Sequence, residues 1–206
     1  MTEPSPEALL RKRFLASLSI DCEKWREGTG YDLEALAALP AKAQESMVQV
    51  LLDRGLRDWR DVDALAQVES PSALAALREA LQNGPPEVRM RIVRRCPQLV
   101  DAETRTASLL RALDEAEPLI ALPAALDEAA VWHPAPVMQA LWRGLSERDA
   151  QVAPRFAALL LHLHGLASHR LALEHRPFVL RFATDDPAAR AAAIAELRQR
   201  FGYCLP

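Results

Sequence analysis

The chain has 206 residues, half of them apolar and 26% charged, with a formal net charge of −3. That is enough chain to bury a sizeable core, and the composition is that of a folded globular protein rather than a disordered one. The basic surplus that dedicated nucleic-acid binders use against phosphate is absent overall. Alanine (37) and leucine (33) dominate, while valine, isoleucine and threonine together supply 20 residues. Helix formers therefore far outweigh strand formers, which argues against an all-β or doubly wound sheet fold.

In chain order, Ser5-Pro6 is an N-cap followed by proline at the first helical position, and predicts a helix to about Leu18. The stretch 19–30 is polar, holds two glycines and reads as a connector. Asp32 caps a helix over 33–39, and Pro40 opens one that Gly55 closes. Asp58 caps 59–68. Ser70-Pro71 repeats the opening signal, and Asn83-Gly84-Pro85-Pro86 ends that helix. Further helices are predicted over 87–96, 103–115, 119–132, 136–147 and 152–164. The last runs over 187–201, with Asp185 or Asp186 at its start.

Superimposed on these elements is a repeat. Leu77, Leu109 and Leu141 are spaced by 32 residues, as are Leu81, Leu113 and Leu145. Val88, Ile120 and Val152 keep the same interval, and so do Val93, Ala125 and Ala157. Ala80, Ala112 and Gly144 place small residues in register. Each unit is a first helix, a short polar turn and a second helix. The leucine pair lies on one helical face, and the second-helix positions on another. A lone helix pair cannot bury both faces, whereas a stack of pairs can.

The period and shape resemble HEAT-like helical repeats, with Pro86-Glu87-Val88-Arg89 similar to the turn and second-helix start of that family. The resemblance covers 70–164, with 41–68 as a degenerate pair. Ala121 and Ala153 stand where Arg89 would repeat. It implies an all-α fold: an α-solenoid of HEAT-like helix pairs forming a single domain over 1–206, with capping helices at both ends.

Chemistry is sparsely signalled. The chain has no glycine-rich phosphate loop and no G-x-S-x-G run. Cys22, Cys96 and Cys204 are odd in number and far apart, which suits a reducing compartment better than a disulfide framework. The N-terminus carries no apolar signal core, and the longest apolar stretch, 157–163, is interrupted by His162 and too short to span a bilayer. A cytoplasmic location with no membrane partner is expected.

Four histidines, His162, His164, His169 and His175, fall within fourteen residues. The spacing of the first two points them to different sides of a helix, so neither a metal site nor a cofactor is expected. The helix over 87–96 is basic, with Arg91, Arg94 and Arg95 on one side and Arg89 inside the apolar arc. Its plain reading is a solvated face, with Arg89 paired to a carboxylate. The alternative is backbone contact with DNA, as in HEAT-like DNA-binding proteins and DNA glycosylases. The stretch 101–128 holds seven acids and two arginines, a field that can steer a basic partner.

Among the large aromatics, Trp142 beside Leu141 reads as core, while Trp25 lies in the polar connector. The expected function is non-catalytic protein–protein recognition. Small bacterial HEAT-like chains of this kind are similar to immunity proteins that neutralise a cognate toxin, so the expected partner is another protein, a toxin or an enzyme. The candidate partner-binding residues are Trp25, Tyr31, Trp59, Asp114, Glu115 and Glu117.

Overall fold

A computed structural model describes residues 5–68, 70–115, 117 and 121–202. Among them every regular element is helical. The chain divides into two compact units, 1–101 and 102–206, a boundary that falls inside the repeat.

The first unit holds α1 (Pro6–Ser17), α2 (Cys22–Arg26), α3 (Leu33–Ala37), α4 (Ala41–Arg54), α5 (Trp59–Gln67), α6 (Pro71–Asn83) and α7 (Pro86–Arg95). The caps are those the sequence offers. Ser5, Asp32, Asp58 and Ser70 each accept a backbone N–H of the helix they precede, which satisfies donors that a helix start leaves open. α5 is the hub and packs on α3, α4, α6 and α7. Six consecutive residues of it, Arg60 to Leu65, are buried.

The second unit holds α8 (Ala102–Glu115), α9 (Leu122–Val131), α10 (Ala135–Glu147), α11 (Ala153–Leu163), α12 (Arg176–Val179) and α13 (Pro187–Arg200). Single 3-10 turns lie at Leu173–His175 and Leu180–Phe182. α8 packs on α9 and α10, α9 on α11, and α10 on α11 and α13.

All six repeat leucines are buried: Leu77 and Leu81 in the first unit, and Leu109, Leu113, Leu141 and Leu145 in the second. Val88, Val93, Ala125, Val152 and Ala157 are buried too, while Ile120 lies outside the described residues, as does Cys204. The small-residue position has a packing reason at Gly144. A Cβ there would sit 2.2 Å from the Phe156 ring, so α10 and α11 approach this closely only over glycine. Trp142 is half-buried, edge-on to Phe201 at 5.7 Å.

Arginines close several helix ends. The last carbonyls of a helix have no partner within it. Arg89 donates to the Gly84 carbonyl at the end of α6, 2.8 Å away. Arg148 donates to the Leu113 carbonyl at 2.6 Å and to that of Asp114, at the end of α8. Arg190 of α13 reaches the Arg148 carbonyl at the end of α10, at 2.6 Å, and the Thr184 carbonyl.

No helix among the described residues is long and apolar enough to cross a membrane.

Candidate functional site

The stretch 19–30, expected as a bare connector, contains the short helix α2. Asp21 opens it by accepting the N–H groups of Glu23 and Lys24, at 3.1 and 2.9 Å. Its end is a Schellman closure. Thr29 N–H donates to the Lys24 carbonyl at 2.9 Å and Gly28 N–H to that of Trp25 at 3.2 Å. Gly28 sits at φ 65°, the left-handed conformation this closure requires and glycine adopts without penalty. Lys24 Nζ ties back to the Ser19 carbonyl at 3.1 Å. A five-residue helix does not hold by propensity; these end bonds hold it. On it Trp25 stands 66% exposed.

The residues that follow are fastened to the start of α5. The Thr29 carbonyl accepts Arg60 Nε at 2.7 Å, and Gly30 lies against the Trp59 ring. The Tyr31 hydroxyl donates to Asp61 Oδ1 at 3.0 Å. Asp32 N–H donates to Ser17 Oγ at 2.9 Å, and the Asp32 carboxylate pairs with Arg13 at 2.9 Å. The loop that carries Trp25 is thus held at its C-terminal side by both α1 and α5.

Beneath it lies a charge network. Buried Asp61 also accepts the N–H groups of Arg57 and Asp58, at 2.8 and 3.3 Å. Arg60, also buried, pairs with Asp58 at 2.9 Å. Asp63 holds Arg91 of α7 through two bonds, at 2.7 and 2.5 Å, the bidentate geometry suited to arginine. The guanidiniums of Arg60 and Arg91 lie 4.7 and 5.3 Å from the Trp59 ring centre, within cation–π reach. Burial, followed by the charge and hydrogen bond of Asp61, pushes the Tyr31 hydroxyl well above its ordinary value. Burial and then the Asp58 charge raise the Glu87 carboxyl, against a backbone hydrogen bond from Trp59. The hydrogen bond to Asp63 raises Arg91.

The three aromatics expected to share a recognition surface therefore differ in situation. Tyr31 and Trp59 come together at the start of α5, half-buried, and bind the loop to the core. Trp25 is the one of the three presented to solvent. Asp114, Glu115 and Glu117 belong to the second unit, and all three are exposed. Asp114 pairs with Arg143 at 2.9 Å and Glu115 with Arg111 at 3.7 Å. Further along, buried Glu128 pairs with Arg105 at 2.5 Å, and Asp127 with Arg170 at 2.6 Å. Arginines distant in sequence or one turn away offset much of the negative charge counted along 101–128.

Arg91 on the basic helix is committed to Asp63, while Arg94 and Arg95 are exposed. The histidines take separate partners. His162 Nδ1 donates to the Ala167 carbonyl at 3.1 Å, and His175 Nε2 to that of Leu166 at 2.7 Å. His169 Nδ1 accepts the Leu171 N–H, and His164 stacks on Phe201 at 3.9 Å. Among the described residues no group of three or more His, Cys, Asp or Glu side chains could hold a metal ion.

Sequence reasoning missed the network of Arg60, Asp61, Asp63 and Glu87. Its available signal was three charges inside Arg60-Asp-Val-Asp-Ala-Leu65, a helix too short to keep them all on a solvent face. No family model, curated protein or solved structure matches the chain.

Proposed function

We propose that the protein is a non-catalytic recognition module, built as a HEAT-like solenoid, that binds another protein through a surface centred on Trp25. Its most concrete form is a cytoplasmic immunity protein covering the active site of a cognate toxin. The observation that carries this reading is the mounting of Trp25. A large apolar ring at 66% exposure adds little to the fold. Yet the short helix beneath it is closed at both ends, and the following loop is bonded to buried Asp61 and Arg60. A pre-ordered tryptophan gives contact area at little entropic cost, which is why such residues dominate binding energy at interface centres. Burial of the repeat leucines, and the packing of α4 on α6 and α5 on α7 in one unit and of α8 on α10 and α9 on α11 in the other, support the helix-pair stacking assumed here.

The test is capture from the source organism's lysate with the whole chain as bait, then co-expression of the captured protein with and without it. A partner whose toxicity or enzymatic activity is suppressed by the wild-type chain, and not by Trp25→Ala, is the expected result. Retention of duplex DNA at physiological salt, lost on Arg95→Glu, would contradict the reading.

A further inference from the structure

The second unit carries a groove of about 420 Å³ between the first half of α11 and the segment 170–179. It is open to solvent, and Pro154, Ala158 and Val179 supply apolar lining. Leu171 and Leu173 stand at its edge, 67% and 73% exposed. Two bulky aliphatic side chains left that bare line the same groove, which sets them apart from scattered surface leucines. Leu166 and Leu180, from the same stretch of chain, are exposed as well.

The charged lining is of one sign. Arg155, Arg170 and Arg176 line the groove, and no carboxylate does. Arg170 is held by Asp127 at 2.6 Å, which sets its guanidinium in place and offsets part of its charge. Arg176 is exposed and lies in no ion pair among the described residues. Small-molecule sites bury most of their ligand; a trough open to solvent suits a side chain projecting from a larger partner.

We infer that this groove docks an acidic segment of a partner protein, its bulky apolar side chains entering beside Leu171 and Leu173 and a carboxylate meeting Arg176. The inference stands apart from the Trp25 reading, since it concerns different residues in a different unit.

The experiment is a fluorescence-anisotropy titration of the full chain with a short labelled peptide of glutamate carrying leucine at every third or fourth position. Parallel arms use the same peptide with serine for leucine, one with lysine for glutamate, and vesicles of anionic phospholipid. Saturable binding of the acidic leucine peptide alone is expected. Arg176→Glu and, separately, Leu173→Ser should each weaken it at least about tenfold. Both positions are exposed, so an unchanged thermal melt verifies that each variant is folded. No saturable binding of the acidic peptide, equal binding of the lysine peptide, unchanged affinity in both variants, or binding of vesicles instead of peptide would overturn the inference.

Discussion

Glu87 shows how a single side chain in the network has a measurable sign. Its carboxyl is raised by burial first and by Asp58 second, so it holds a proton more tightly in the folded chain than in the unfolded one. Such a group costs the fold nothing while protonated in both states. As pH rises from its ordinary carboxylate range through its elevated folded value, it becomes a penalty. Glu87→Gln removes the charge and keeps an acceptor for the Trp59 backbone. The variant should therefore melt above wild type at pH 7, and the gain should vanish below about pH 4, where both states are protonated. A second residue tests packing. Gly144→Ala would press a methyl into the Phe156 ring, an overpacking change that typically costs about 1–3 kcal/mol. Denaturant titration should show that loss, and Phe156→Leu in the same chain should recover part of it, because the two sites are in contact.

At the scale of elements, helix ends decide what was legible. Ser5-Pro6, Asp32, Asp58 and Ser70-Pro71 announced their helices because a cap is a local bond between neighbours in sequence, and the structure starts helices at each. Burial of Leu77, Leu109 and Leu141 was legible for a like reason: helical period fixes a face. The short α2 was not, since its five residues carry no apolar period and its stability comes from end bonds around Asp21 and Gly28. Nor was α12 with its flanking 3-10 turns. The charge pairs lay further out of reach, because Tyr31–Asp61 and Asp63–Arg91 join residues about 30 apart through tertiary packing alone. Arginine closure of helix ends belongs here as well. Arg190 is buried and spans from α13 to the end of α10. Arg190→Met keeps the apolar stem and removes the donors, leaving the Arg148 and Thr184 carbonyls without them. A loss of about 1.5–3 kcal/mol is expected by denaturant unfolding, and Arg190→Lys should recover only part of it because lysine lacks the planar fork.

For the whole molecule, the small net charge of −3 hides extensive local pairing. Arginine contributes 22 of the 25 basic residues, and many of them bind carbonyls and carboxylates within their own unit. The acids counted along 101–128 are consequently a weaker guide to a binding surface than their number suggests, and the exposed ring of Trp25 is the stronger one. Trp25 carries the proposed recognition because its exposure makes it dispensable to the fold and its rigid mounting makes it valuable to a partner. Titration calorimetry of the captured partner against wild type and Trp25→Ala is the direct measurement. Loss of the ring should weaken the affinity at least about thirtyfold, some 2 kcal/mol, as expected for a tryptophan at an interface centre, with an unchanged melting temperature. Equal affinity of the two chains for that partner would rule out recognition through Trp25.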